Sequence, residues 1–310
     1  MRRPGARRML GTAALLLLAL GGWWAWTPDI PRATLEATYA NGPADFVTVD
    51  GMRLHLRDSG PTDAPAVILL HGFGGSVHTW DDWAAGLQAR HRVIRYDQPG
   101  AGLSVPDRLG QYTDERGMQV LLALMDQLGL QRASIVGHSM GGRLAWRLAA
   151  AHPQRVHKLV LVAPDGFASP GFDYGKAPEV GWVTGLLRWT LPKPLLRASL
   201  KPAYADPAAM TEARVDRYND LMLAPGNRQA LLDRMRQLVL QPPEPWLRRI
   251  SAPTLLVWGQ ADQMIPVANA ADYQRAMPQA RLVALPGVGH LPQEEAAAAS
   301  LAEVAAFLKD

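Results

Sequence analysis

The chain has 310 residues, of which 48% are hydrophobic and 19% charged; this excludes a disordered chain and allows one large α/β domain or two smaller ones. The net charge is +4, which Arg2, Arg3, Arg7 and Arg8 alone would supply, so the remainder is close to neutral and argues against a nucleic-acid partner. With no cysteine, disulfides, thiolate metal sites and a cysteine nucleophile are excluded.

The basic start is followed by an apolar run over residues 9–26 containing Leu15, Leu16, Leu17 and Leu18. Its length reaches the lower limit for a membrane-spanning helix, and Trp23, Trp24 and Trp26 stand where an interfacial aromatic belt would lie. Residues 1–26 are therefore expected to anchor the chain in a bacterial-type inner membrane, with arginines on the cytoplasmic side and the rest exported. The alternative is a signal peptide cleaved near Ala19-Leu20-Gly21, giving a secreted product. Residues 27–44, punctuated by Pro28, Pro31 and Pro43, read as a linker.

From residue 46 the pattern changes. Alternation of apolar and polar residues on either side of Asp50-Gly51 predicts a β-hairpin. Residues 66–70 are continuously apolar, as in a strand buried on both faces, and they run into His71-Gly72-Phe73-Gly74-Gly75. A helical stretch with Trp80, Trp83, Ala84 and Leu87 follows, then a short strand at 93–96 and a loop with Asp97, Gly100 and Gly102, read as a turn device. Val120, Leu121, Leu124, Met125 and Leu128 have helical spacing, with Gly129 as the stop.

Residues 133–142 form the centre of the chain. An apolar run breaks at Gly137-His138-Ser139-Met140-Gly141 and resumes with helical periodicity, which is G-x-S-x-G between a strand and a helix. The tight turn leaves no room for side chains two residues either side of Ser139, and the new helix directs its first free N–H groups at whatever that hydroxyl attacks. Another buried strand is expected at 159–162. Residues 165–246 then lose the β–α alternation and read as a helical cap folded over the sheet end. Alternation returns with a strand at 254–258, a helix near 267–277, a strand at 281–285 and a final helix over 294–308. Alternating strands and helices with short connections predict a mostly parallel sheet covered on both faces, with core segments at 45–164 and 247–310.

A serine hydroxyl near neutral pH needs a histidine base held by a carboxylate. On this kind of elbow the acid and the histidine should follow the serine, each on a loop after a late strand. Asp262 and His290 satisfy that order, with Asp165 as the alternative acid. The N–H groups of Phe73 and Met140 are the expected oxyanion donors. His71 and His138 flank these positions and read chiefly as buried histidines bonded to loop backbone, with His138 also a candidate substrate contact alongside Phe73. Trp182, Leu186, Leu187 and Trp189 are expected to form an apolar lid, and Trp182 to touch substrate.

Taken together, residues 71–75, Asp97 to Ser104, 137–142, Trp258-Gly259-x-x-Asp262 and Gly289-His290 resemble the α/β-hydrolase superfamily over residues 46–308, the cap apart. The serine resembles its hydrolytic branch, since dehalogenases and epoxide hydrolases of this fold carry an aspartate at that point. The layout is similar to bacterial membrane-anchored esterases and lipases, and to carbon–carbon bond hydrolases of ring-cleavage products. The latter commonly have asparagine before the serine, where this chain has His138. The resemblance implies a serine esterase or lipase acting on a small-molecule or lipid ester, with no cofactor, no metal and no obligatory protein partner. Amide hydrolysis and a non-catalytic sensor on the same fold are the other readings.

Overall fold

The computed structural model describes residues 26–168 and 173–309. The expected membrane segment lies outside them, save Trp26, and among the described residues no helix is long and apolar enough to cross a membrane. A short helix, α1 (Arg32–Tyr39), opens the described chain. The stretch read as a linker is thus a packed element: Leu35 is buried beside Leu103, Leu221 and Ala224, and Arg32 donates to the Leu103 carbonyl at 2.6 Å. The prolines that suggested a spacer flank the helix and do not interrupt it, Pro31 sitting at its N-cap.

The centre is an eight-stranded sheet in the order β1-β2-β4-β3-β5-β6-β7-β8. Its strands are β1 (Phe46–Val49), β2 (Met52–Ser59), β3 (Ala66–Leu70), β4 (Arg92–Tyr96), β5 (Ala133–His138), β6 (Val156–Val162), β7 (Thr254–Gly259) and β8 (Arg281–Leu285). β1 and β2 form the predicted hairpin, with Val49 opposite Met52 and both loop residues, Asp50 and Gly51, at positive φ. From β4 through β8 every pairing is parallel.

Parallel strands need crossovers, and here these are helices. α3 (Asp114–Gln127), α4 (Met140–Ala151) and α10 (Asn269–Ala276) cover one face with Leu121, Leu148 and Tyr273. α2 (Asp81–Leu87) and α12 (Ala297–Lys309) cover the other with Trp83 and Val304. The strands feed both layers by alternation: Ile68 and Leu70 face the first, Val67 and Leu69 the second. This is the expected α/β-hydrolase sheet. The predicted last helix is two pieces, α11 (Pro292–Glu295) and α12, broken at Ala296, whose φ of −133° is not helical.

Between β6 and β7 the described chain is helical and adds no strand. It holds α5 (Trp182–Gly185), α6 (Lys193–Leu200), α7 (Glu212–Met222), α8 (Asn227–Gln237) and α9 (Glu244–Leu247). Its packing separates into small apolar clusters, one around Tyr204, Val215 and Leu291 and another around Leu196, Tyr218 and Leu223.

Candidate active site

Ser139 sits between β5 and α4 at φ 52° and ψ −119°. A non-glycine residue in that region carries about 1–3 kcal/mol of strain, tolerated here because the surroundings fix the turn. The Ser139 N–H donates to the Val162 carbonyl at 3.0 Å, and its own carbonyl accepts from Arg143 and Asp165. The glycines of the motif are steric requirements. A Cβ on Gly137 would stand 2.2 Å from the Gly141 carbonyl oxygen, and one on Gly141 would stand 2.3 Å from that of Leu70. Met140 opens α4, so its N–H has no carbonyl one turn earlier within the helix.

The other predicted residues arrive from the same edge of the sheet. Asp262 follows β7 and His290 follows β8; the two meet with Asp262 Oδ2 and His290 Nδ1 2.7 Å apart, both side chains buried. Asp262 Oδ1 accepts the N–H groups of Met264 and Ile265 at 2.8 and 2.9 Å, which fixes the carboxylate plane. Gly259 lets the two loops touch, because a Cβ there would lie 2.1 Å from the Gly289 carbonyl oxygen. The alternative acid, Asp165, is engaged elsewhere, ion-paired with Arg143.

Two histidines are locked by backbone contacts. The Gln98 N–H donates to His71 Nε2 at 3.0 Å, so Nδ1 carries the proton and donates to the Gly72 carbonyl at 2.8 Å. The carbonyl of His71 accepts from the Gln98 side chain at 2.8 Å, tying the loop after β3 to the loop after β4. His138 Nε2 lies 2.8 Å from the His290 carbonyl and must be the donor, while Nδ1, buried against Gly72, has no partner among the described residues. Burial, reinforced by nearby His290, holds the His138 pKa well below the ordinary value, so the ring is neutral. Asp97 is buried and takes Val77 N–H at 2.7 Å, Leu103 N–H at 2.8 Å and His55 Nδ1 at 2.7 Å. Burial raises its pKa, but His55 and these donors outweigh that and hold it low. It is the expected turn device, welding the loops after β3 and β4 to strand β2.

Ser139, His290, His138 and Phe73 all line one cavity of about 500 Å³ beneath the helical segment. Leu187, Leu191, Leu196, Leu231, Met235 and Leu291 give it an apolar wall, and Arg228 is its one lysine or arginine among the described residues. That guanidinium is paired with Asp29 at 2.7 Å. Trp182 is not part of the lining. Its side chain is 80% exposed, and Val183, Thr184 and Leu187 face the cavity in its place. Trp182, Leu186 and Trp189 recur at i, i+4 and i+7 along α5 and its continuing 3₁₀ turn (Leu186–Arg188), so they share the outer face while 183, 184 and 187 share the inner one. The apolar composition of this stretch was legible; which half faced inward was not.

Three contacts join residues too far apart in the chain to be paired from the sequence. The His290 N–H donates to the Ala203 carbonyl at 2.8 Å, and buried Glu294 accepts from Tyr204 at 2.5 Å and from Arg217 at 2.8 Å. Burial raises the Glu294 pKa against those donors. A glutamate one turn past His290 was a signal, but its tyrosine partner lies 90 positions earlier.

A family model described as the alpha/beta hydrolase fold matches residues 65–297. The chain belongs to this family. Among curated relatives of this family member is a 2-hydroxy-6-oxononadienedioate/2-hydroxy-6-oxononatrienedioate hydrolase of Cupriavidus pinatubonensis, 32% identical over 89% of this chain and 99% of its own. Among solved structures, a membrane phospholipase A described as a bacterial virulence factor superposes with a TM-score of 0.73 at 26% identity, covering 98% of both chains. The enol-lactonase from Burkholderia xenovorans LB400 superposes with a TM-score of 0.73 at 26% identity, covering 86% of this chain and all of that one.

Proposed function

We propose that this alpha/beta hydrolase is a serine hydrolase of carboxylic esters with apolar acyl chains. The observation that carries the reading is the buried His290–Asp262 pair opening, with Ser139, onto a cavity walled by leucine and methionine. Ser139 Oγ attacks the ester carbonyl while His290 Nε2 takes its proton; Asp262, accepting at Nδ1, keeps the imidazole in the tautomer that can do so. The N–H groups of Phe73 and Met140 bind the oxyanion, His290 returns the proton to the leaving alcohol, and water releases the acid from the acyl-enzyme. His138 and Phe73 border the acyl group, and Trp182 has no part in it.

A second reading, carbon–carbon bond cleavage, is favoured by the 32% identity to the Cupriavidus hydrolase. Against it stands the cavity. The substrate in that enzyme's name is a dicarboxylate, whereas this cavity offers a single guanidinium, Arg228, whose Nη2 is on Asp29 and whose Nε and Nη1 have no partner among the described residues, so at most one of two carboxylates would meet a cation. Purified protein should turn over chromogenic esters and lose at least 10³-fold with Ser139→Ala. Turnover of ring-cleavage dienones in preference to esters would transfer the assignment to the second reading. Ligand binding with equal inertness of wild type and Ser139→Ala would replace both with a sensor. The apolar run over residues 9–26 is proposed to hold the catalytic part at the outer side of the inner membrane; recovery of a shortened, freely soluble product on fractionation would refute that.

A further inference from the structure

We infer that the outer face of α5 and α6 seats on a lipid bilayer, so that substrate enters the cavity from the lipid and not from water. The entry route rests on the ester-hydrolase reading; the seating itself does not. Trp182, Leu186 and Trp189 form the exposed apolar face, and the cavity-lining Val183 and Leu195, 61% and 56% exposed, extend it to the cavity's rim. Contiguous exposed apolar surface of this kind marks an interaction site. The mouth of the cavity therefore opens beside that face.

Two further observations identify the occupant. The Thr27 N–H donates to the Trp189 carbonyl at 2.9 Å and the Leu191 N–H to Thr27 Oγ1 at 3.0 Å. The chain therefore leaves the described body at this face, where the apolar run over 9–26 begins; whatever bilayer that run reaches is brought to the same side. Residues 181–204 also contain Arg188, Lys193, Arg197 and Lys201 and no carboxylate. Glu212 and Asp216 of α7 pair with Lys193 and Arg197, which leaves Arg188 and Lys201 to favour anionic headgroups. Arg188 lies over the Trp189 ring at 5.4 Å, an amphipathic pairing suited to the interface.

Because the chain lacks cysteine, single labels are unambiguous. The full chain carrying Ser139→Ala, with a fluorophore on Trp182→Cys or on the exposed control Gln154→Cys at the opposite sheet edge, is reconstituted in phosphatidylglycerol/phosphatidylethanolamine vesicles. Nitroxide lipids should quench the label at 182 at least fivefold more than that at 154. Equal quenching overturns the inference. So does shielding at 182 that needs no lipid, whether it follows protein concentration (a second copy) or is independent of it (the N-terminal run). In the active chain, Trp182→Ser with Trp189→Ser should lower hydrolysis of vesicle-borne ester about tenfold and leave a water-soluble ester unchanged. An equal loss on both substrates would also overturn it, and inactivity of the wild type on every ester would defeat the proposed function while leaving the quenching result standing.

Discussion

Replacing Asp262 by asparagine tests the assigned roles more sharply than removing it. Asp262 Oδ1 accepts two backbone N–H groups, from Met264 and Ile265 at 2.8 and 2.9 Å, while Oδ2 faces His290 Nδ1 at 2.7 Å. An asparagine must keep its oxygen toward the two N–H donors, since a reversed amide would set three donors against one another. Its NH₂ then points at Nδ1, which has to become the acceptor, and the ring proton moves to Nε2. An imidazole protonated there cannot take the proton of Ser139. The expected loss in kcat is about 10⁴-fold, or about 5.4 kcal/mol of transition-state stabilisation. Asp262→Ala leaves the tautomer free and should retain more activity than the asparagine variant. It also removes the acceptor for two backbone donors, and should therefore lose about 1–3 kcal/mol of stability that the asparagine variant keeps. Ester kinetics and urea unfolding should thus rank the two variants in opposite orders. An asparagine variant that is more active than the alanine variant, or that loses less than tenfold, would refute the tautomer argument.

The elbow and its supports give further expectations. Gly141→Ala puts a Cβ 2.3 Å from a backbone oxygen of β3 and should cost about 3 kcal/mol or more, read from the urea midpoint. Tyr204→Phe leaves buried Glu294 one donor short, for a loss of about 1–2 kcal/mol by the same measurement. Folding depresses the His138 pKa below its ordinary 6.5, so the unfolded chain binds more protons in the window beneath that value. Stability at His138 is complete above pH 6.5 and falls as the pH drops toward the folded value, by up to about 1.4 kcal/mol per unit for one proton. His138→Gln should flatten that part of the unfolding-versus-pH curve; an unchanged slope would show that His138 does not carry it.

The sheet was readable because β3 and β7 are buried on both faces and so carry the apolar runs 67–70 and 255–258. The site was readable because its constraints are local: Gly137, Gly141 and Gly259 are required by contacts under 2.5 Å, which leave a mark at a fixed spacing. What stayed hidden depends on partners remote in sequence or on rotation about a helix axis. Residues 27–44 look like a spacer until Leu35 meets Leu221, and nothing in the order Trp182-Val183-Thr184 says which side turns inward. Likewise His71 and Gln98 are unremarkable apart, and acquire their role through a bond between two separate loops.

The bond from the His290 amide to the Ala203 carbonyl has a consequence for engineering. The helical segment supplies one of the struts of the very loop that bears the imidazole, and Tyr204 braces the helix that follows it. Transplanting another relative's cover onto this sheet would therefore disturb the placement of the imidazole as well as the shape of the cavity. Chimeras should keep residues 201–206 from the host, with their contacts to 289–295, and exchange the remainder.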